Sequence, residues 1–359
     1  MKYFFVLLLS FLAQNGFSQF ASLTKKEISN LHNLVAKDSS VKKFYASLKN
    51  TADEALEQTP NPVDTVVSEG HLATDPKKIR TGKSLKDVEK IYSLAVAYAI
   101  EGKKNHLQKA GEYIAAWATV NQPQGNPIND TKFEDLFFAY DLVKNNLSSE
   151  QKKSINNWLV KMADAEIKTA LPKTKKTSFN NWNSHRLKVI GFIAYLLNND
   201  TYKKYIADEL PAQIEKNLLS DGSGIDFHER DALHYHTYTL EPLISLATVL
   251  KRATGKDFYR YTSPSGASVQ KSIDFLIPFV SGEKTHPEFV NSTVAFDKKR
   301  ADNKEPGYQI GAPFKRTAGV PVLVLASYFE PSCMAVVRET LNTSATYPTW
   351  QAIINAARK

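Results

Sequence analysis

Apolar residues recur every three to four positions through most of this chain, and this spacing constrains the fold more than any other feature. Side chains at that spacing line one face of an α-helix, so each such segment predicts an amphipathic helix. The segments are residues 31–36, 45–56, 88–100, 110–120, 133–143, 155–170, 187–197, 205–218, 240–250, 269–280 and 352–357. Only residues 320–326, reading VPVLVLA, fit a strand as well as a buried helix. The chain is therefore predicted to be all-α.

Helix boundary signals agree with this prediction. Ser148 and Gln151 have the spacing of a capping box, and Gly102 follows a helical segment where a terminating glycine is expected. Helices of this length joined by short polar links predict paired helices wound into a toroid or a solenoid. No fixed sequence period is visible, which disfavours a regular repeat array.

Two long links interrupt the helical pattern. Residues 59–83 contain three prolines and end in a basic run, and residues 281–320 contain three prolines and four glycines. Long loops on a rigid helical frame commonly act as lids or binding loops, and disorder is the alternative for each link. Because the helical pattern resumes after both links, we expect a single domain over residues 19–359.

The N-terminus has the features of a secretory signal peptide. Lys2 precedes a short apolar run at residues 3–13, and Gly16 and Ser18 supply the small residues of a cleavage site. The run is too short to span a bilayer, and an uncleaved anchor helix is the alternative. We expect residues 1–18 to be removed after Ser18 and the mature protein to be periplasmic or secreted.

Charge and cysteine content narrow the partners. The net charge of +9 in an exported protein fits an acidic polymer or an anionic envelope surface better than nucleic acid, and solubility alone is the alternative explanation. The single cysteine, Cys333, excludes an intramolecular disulfide. We expect no membrane insertion after signal cleavage, and we expect a monomer.

Two clusters of polar residues carry the candidate chemistry. The first, SFNNWNSHRLK at residues 178–188, precedes a helical stripe, so an asparagine is expected to cap that helix: Asn180, Asn181 or Asn183. Free N–H groups and the helix dipole favour an anion at such an end, where Asn181 could donate to a sugar carboxylate beside Trp182 and His185. The alternative is an N-cap followed by a core tryptophan.

The second cluster, DGSGIDFHERDALHYHTYTLEP at residues 221–242, holds three of the eight histidines. If residues 229–250 form one helix, a single face carries Arg230, Asp231, His234, Tyr238 and Glu241. If Pro242 instead starts a new helix, His234, His236 and Tyr238 share a face of an extended segment. His234 and Tyr238 are neighbours in both arrangements.

Several chemistries fit this second cluster. A zinc site would use His228, His234 and His236 with Asp226 or Glu229, although no HExxH motif and no paired cysteine occurs. A carboxylate pair such as Asp226 and Glu229 would suit a glycoside hydrolase. A non-catalytic glycan-binding protein is a third alternative. A serine nucleophile has less support, since no GxSxG motif is present.

A family resemblance covers residues 80–250, about half of the mature chain. Residues 232–243, ALHYHTYTLEPL, resemble the segment that carries the catalytic tyrosine in alginate lyases of polysaccharide lyase family 5. The NNW motif at residues 180–182 resembles the Asn-Asn-His motif of that family. Residues 83–106 and 133–143 look like its N-terminal helices.

Two positions depart from the family 5 pattern. Trp182 stands where the family has histidine, and the next histidine is His185, about one helical turn later. Asp231 stands where an arginine is usual, with Arg230 one residue earlier. In these respects the chain is similar to a sister group such as polysaccharide lyase family 38, which acts on uronate polymers.

The resemblance implies an incomplete (α/α) toroid with a cleft across one end, no obligatory metal or other cofactor, and an anionic uronate polysaccharide such as alginate or polyglucuronate as substrate. Tyr238 is the expected acid, and Tyr238 or His185 is the expected base. Asn181, helped by Arg230 or His185, would stabilise the enolate-like charge. The remaining residues expected to bind substrate, by charge or by stacking, are Trp182, His234, Tyr235, Arg80 and Lys83.

Overall fold

A computed structural model describes residues 19–359, and the predicted signal peptide at residues 1–18 lies outside the described residues. Helices dominate the described part of the chain, where β pairing is limited to two isolated bridges, Leu218 with Gly224 and Pro287 with Pro313. The prediction of an all-α protein is confirmed. No helix within residues 19–359 has both the length and the apolar character that a bilayer crossing requires.

The α-helices follow the predicted segments closely. They are α1 (Lys25–Lys37), α2 (Ser39–Leu56), α3 (Pro76–Ser84), α4 (Lys86–Glu101), α5 (Lys104–Val120), α6 (Pro127–Asp130), α7 (Glu134–Val143), α8 (Ser149–Lys168), α9 (Asn181–Leu196), α10 (Asp200–Asn217), α11 (Ile225–Arg230), α12 (Leu233–Thr254), α13 (Val269–Ser281), α14 (Ala295–Asp302), α15 (Val320–Ala326), α16 (Cys333–Thr340) and α17 (Trp350–Ala357). Short 3₁₀ helices occupy Thr131–Phe133, Lys144–Asn146, Lys176–Phe179 and Arg316–Gly319. The ambiguous run at residues 320–326 is helix α15, not a strand.

The helices form two layers. In the inner layer, α4, α7, α9, α12 and α15 each pack against the next helix in that series, while α2, α5, α8, α10, α13 and α16 pack on the outside. Helix α17 contacts α15 on one side and α1 and α2 on the other, and these in turn contact α4, so the ends of the inner series are joined. The fold is an (α/α) toroid, as predicted. Because α7, α8, α10 and α12 surround it, α9 is buried along almost its whole length.

Local sequence signals set several helix ends as predicted. Asn180 is the N-cap of α9, and its side-chain oxygen accepts from the Trp182 N–H at 3.1 Å. Ser148 and Gln151 form the capping box at the start of α8. Gly102 ends α4 with φ of 69°, a conformation that glycine adopts without steric cost.

The second polar cluster folds differently from both predicted arrangements. Helix α11 ends at Arg230, Asp231 takes a left-handed conformation with φ of 46°, and α12 then begins at Leu233 and continues through Pro242. Arg230 and Asp231 therefore do not share a helix face with Tyr238, which corrects the single-helix prediction. Pro242 has no N–H, so the Tyr238 carbonyl four residues earlier lacks its usual helical donor.

Both long links contain helices. The first link includes most of α3, so Arg80 and Lys83 lie on a helix and not in a loop as expected. The second link includes α14. The two links meet where the Ala73 N–H donates to the Glu305 carboxylate at 2.7 Å.

Candidate active site

A cavity of about 460 Å³ lies along the inner helices and contains the predicted tyrosine and histidine. Its wall is built by the 3₁₀ helix before α7 and by α7, α9, α12, α15 and the start of α17. Ionisable side chains are concentrated in it: Lys132, Glu134, Asp135, His185, Lys188, Tyr238 and Glu241. The packing of α9 against α12 therefore brings the two polar clusters of the sequence into one site.

His185 and Tyr238 are in direct contact. Their ring centroids are 4.4 Å apart, with an angle of 48° between the ring planes. The His185 side chain is 2% exposed, and its Nδ1 lies 2.9 Å from the Thr131 hydroxyl. Its Nε2 is buried and has no hydrogen-bond partner among the described residues. By geometry Nε2 is thus unpartnered, although the Tyr238 backbone acts on the ring by hydrogen bonding and raises its pKa.

The surroundings determine which of the two groups holds a proton. Burial lowers the pKa of His185 well below its usual value, and the positive charges of Lys188 and Lys132 lower it further. Burial raises the pKa of Tyr238 above its usual value, and the Glu241 carboxylate raises it further. At neutral pH the imidazole is neutral and the phenol is protonated. Such a pair can accept one proton and donate another.

Of the two lysines that line the cavity, one is in an ion pair with a described residue and the other is not. Lys188 forms an ion pair with Glu134. Burial raises the pKa of Glu241, and burial together with Glu134 raises the pKa of Asp135 to about 6. Lys132 has no ion-pair partner within the described chain, although its side chain is exposed to the cavity.

Asn181 is held by a buried carboxylate. Its backbone N–H and its side-chain amide both donate to Asp226 Oδ1, at 2.9 Å and 2.5 Å, and Asn217 donates to Asp226 Oδ2 at 2.7 Å. Burial raises the pKa of Asp226 to about 6. Asp226, one of the candidate hydrolase carboxylates, is thus fully buried, and one of the two amide N–H groups of Asn181 is occupied. The role of Asn181 in stabilising the enolate stays a prediction.

Arg230 lies in a separate cluster that does not line the cavity. It pairs with Asp297 of α14 at 2.5 Å, and its guanidinium carbon is 4.1 Å from the centroid of the Tyr235 ring. Arg300 donates to the Tyr235 hydroxyl at 2.8 Å. These contacts tie α11 and α12 to the second long link. The predicted catalytic role of Arg230 and the stacking role of Tyr235 stay predictions.

The second link also supplies residues that contact the start of α12, next to Tyr238, and that sequence reasoning missed: Glu288 and Tyr308. The rings of His234 and Tyr238 are nearly parallel with centroids 6.4 Å apart, and the Tyr308 hydroxyl lies 3.4 Å from His234 Nε2. Glu288 accepts from the N–H groups of Leu233 and His234 at 2.8 Å and 2.9 Å, so it caps α12. The length of the link was the only sequence signal for these contacts.

The other histidines of the second cluster do not converge on a common centre. His236 is fully buried, and its Nε2 lies 3.1 Å from the Ser272 carbonyl. His228 Nε2 lies 2.8 Å from the Ser223 hydroxyl. Across residues 19–359, no three His, Cys, Asp or Glu side chains are arranged as a set that could hold a metal ion.

Trp182 lines a second cavity of about 500 Å³. Side-chain amides surround the half-buried indole: Gln124, Asn126, Asn180 and Asn183. Trp182 and His185 are neighbours on the surface of α9, because residues three apart lie about one turn from each other. The two cavities therefore adjoin the same end of α9. An aromatic face beside amide groups suits a sugar ring, which needs stacking and hydrogen bonds.

The predicted basic residues of the first link lie apart from both cavities. Arg80 lines a third cavity of about 350 Å³ together with Lys77 and Thr81. Lys83 is exposed on α3. Their predicted contacts with uronate carboxylates stay predictions.

Comparison with known proteins identifies related sequences. The family described as alginate lyase matches residues 33–286. A polysaccharide lyase from Stenotrophomonas maltophilia (strain K279a) is 26% identical over 176 residues, which cover 45% of this chain and 51% of that protein. The chain thus spans about half the length of the curated relative that it matches.

Solved structures of similar fold are also found. An alginate lyase from Bacteroides ovatus has 16% identity and a TM-score of 0.69, with 95% of this chain and 99% of that chain covered. Alginate lyase A1-III from Sphingomonas species A1 has 19% identity and a TM-score of 0.56, covering 74% of this chain and 80% of that chain. Two variants of A1-III complexed with a tetrasaccharide, one Tyr-to-Phe and one His-to-Ala, match with TM-scores of 0.57 and 0.56. At these identities the likeness concerns the fold alone.

Proposed function

The chain belongs to the alginate lyase family, and from this premise we propose that it is an exported lyase that cleaves an anionic uronate polysaccharide by β-elimination. One observation carries the proposal: the rings of His185 and Tyr238 are in contact within a cavity of the toroid. The A1-III variants complexed with a tetrasaccharide are altered at a tyrosine or at a histidine, the same two residue types.

In the proposed reaction, the neutral His185 imidazole accepts the C5 proton of a uronate. The electron pair of the C5–H bond forms a double bond between C4 and C5, the C4–O4 bond breaks, and the Tyr238 hydroxyl protonates the departing O4. The alternative, with Tyr238 as both base and acid, requires a phenolate. The raised pKa of Tyr238 disfavours that form at neutral pH.

Substrate binding is proposed to extend beyond the acid–base pair. The Trp182 cavity would hold a neighbouring sugar ring by stacking and by amide hydrogen bonds. Export is proposed from the sequence of residues 1–18, which has the charged start, apolar run and small residues of a signal peptide. Protein recovered from the periplasm with Gln19 at its N-terminus would support export, and an intact Met1 would count against it.

A substrate panel tests the activity. Incubation with polymannuronate, polyguluronate and polyglucuronate should raise the ultraviolet absorbance with at least one polymer, because elimination leaves a double bond conjugated with the carboxylate. A hydrolase would create new reducing ends without this absorbance, and a glycan-binding protein would bind without turnover. Absence of absorbance from every uronate polymer would overturn the proposal.

Replacing Tyr238 tests its role within that assay. Tyr238→Phe removes the acidic proton and keeps the ring against His185, so kcat should fall by roughly 10²-fold or more with little change in KM. Tyr261→Phe, a partly buried tyrosine outside the cavity, is the matched control. Equal activities of the two variants would contradict the assignment of Tyr238 as the acid.

A further inference from the structure

Elimination beside a carboxylate needs compensation for negative charge. Loss of the C5 proton moves negative charge onto the neighbouring carboxylate, so a cation or a strong donor must face it. The groups predicted for this task have other partners. One N–H of the Asn181 amide donates to Asp226 and Asn181 does not line the cavity, while the Arg230 guanidinium pairs with Asp297 outside it. His185 is neutral, so it supplies no charge.

Two lysines line the cavity beside the acid–base pair, and their environments differ. Lys188 is buried at 4% exposure and paired with Glu134. Lys132 is exposed to the cavity and has neither an ion pair nor a side-chain hydrogen bond with any side chain that the structure describes. A cation that lines a cavity without a partner is available to an anionic ligand.

Lys132 also lines the same cavity as the reacting groups and acts on them electrostatically. It directly follows Thr131, whose hydroxyl is 2.9 Å from His185 Nδ1. Its charge contributes to the lowered pKa of His185, and the Glu241 carboxylate, one turn after Tyr238, acts on Lys132 in turn. A carboxylate bound to Lys132 would therefore lie in the same cavity as the acid–base pair.

The surroundings leave the Lys132 ammonium incompletely compensated. Although Lys132 is exposed to the cavity, the enclosing walls partly desolvate its ammonium and lower its pKa; Glu241 opposes this effect, and the positive charges of Lys188 and Lys78 add to it. An opposite charge brought to the ammonium stabilises its charged form. A substrate carboxylate would supply the partner that the protein itself does not provide.

We propose that Lys132 binds the carboxylate of the uronate that loses its C5 proton and so makes the site selective for ionised uronates over neutral sugars. The inference rests on the proposed lyase function and adds a residue that sets its specificity. The sequence prediction had given this part of the reaction to Asn181 with Arg230 or His185.

The first test removes the charge. Lys132→Met keeps most of the length of the side chain, and we expect kcat/KM on the cleaved polymer to fall by roughly 10²-fold. Lys132→Arg keeps the charge and should retain a larger share of the activity. Lys104→Met, which removes an exposed lysine at the start of α5, should behave as the wild type. An unchanged thermal unfolding midpoint would show that Lys132→Met is folded.

The second test neutralises the substrate instead. On the methyl-esterified polymer, wild type and Lys132→Met should differ little, because the ester has no charge for Lys132 to bind. A merely structural role of Lys132 would lower the rates on both polymers by the same factor. That result, or wild-type kcat/KM of Lys132→Met on the ionised polymer, would overturn the inference.

A binding measurement separates this inference from the proposed function. The Kd of a uronate oligosaccharide, measured by calorimetry, should weaken by roughly 10-fold in Lys132→Met and remain unchanged in Lys104→Met. Turnover is not needed for this readout. An inactive wild type would count against the lyase proposal alone, whereas equal Kd values for wild type and Lys132→Met would count against the role of Lys132.

Discussion

At the scale of single residues, burial decides which proton each member of the His185–Tyr238 pair holds. An ordinary histidine has a pKa of about 6.5, and an ordinary tyrosine a pKa of about 10. In this site the pKa of His185 is lowered and the pKa of Tyr238 is raised, chiefly because the toroid removes both from water. The pH range in which His185 is neutral and Tyr238 is protonated therefore extends further toward both acidic and basic pH.

The pH dependence of catalysis follows from these shifts. If His185 is the base, kcat/KM falls only when the imidazole becomes protonated. Because its pKa lies well below 6.5, we predict that kcat/KM stays level from neutral pH to below pH 6.5 and falls under more acidic conditions. A pH–rate profile measures this. If Tyr238 were the base, kcat/KM would instead rise with pH toward the pKa of the phenol, and such a rise would contradict the prediction.

At the scale of helices, one carboxylate joins three elements. Asp226 of α11 accepts from the backbone and side chain of Asn181 at the start of α9, and from the side chain of Asn217 at the end of α10. Asn180 provides the N-cap, but the orientation of the first turn of α9 depends on Asp226. That turn carries Trp182, and the next one carries His185.

We predict that Asp226→Ala lowers the free energy of unfolding by about 3 kcal/mol or more, because it leaves several buried donors without an acceptor. Urea denaturation measures this, with Asp208→Ala on the exposed face of α10 as control. Folding raises the pKa of Asp226 from 3.8 to about 6, so its protonated form favours the folded state. The stability difference from wild type should therefore be largest below about pH 4 and shrink as the pH rises through 6. Similar losses in both variants would contradict the prediction.

At the scale of the whole molecule, the two long links meet near the end of the toroid that holds Tyr238. Ala73 of the first link donates to Glu305 of the second at 2.7 Å, and Asn303 donates to the same carboxylate at 3.2 Å. Glu69 and Tyr308, one from each link, both contribute to the raised pKa of Tyr238. The links thus reach the site together.

We predict that Glu305→Ala separates the links while leaving the helical core intact. Hydrogen exchange at the Ala73 amide should become faster, because its acceptor is removed. KM for the polymer should rise, with little change in the thermal unfolding midpoint. Glu283→Ala, at an exposed position of the second link, is the control. Unchanged exchange at Ala73 would show that the contact does not hold the links together.

Some features of this protein were determined by the sequence alone. The helical class, the cap at Ser148 and an asparagine cap at the start of α9 were readable, because periodicity and capping depend on residues a few positions apart. Many such helices with short links predicted a toroid or a solenoid, and the family resemblance implied the toroid. Tyr238 and His185 were candidates because of the polar clusters that hold them and the family resemblance.

Other features were decided only by the tertiary structure. The break at Asp231 is stabilised by the distant Asn291 and Phe289, whose backbone N–H groups donate to it at 2.9 Å and 2.7 Å, so a helical pattern could not reveal that Arg230 leaves the face of Tyr238. Lys132 was not recognised from the sequence, because what distinguishes it is that no carboxylate of the described chain pairs with it inside the cavity. Burial, ion pairing and cavity walls depend on which distant side chains come into contact, and local sequence does not encode those contacts.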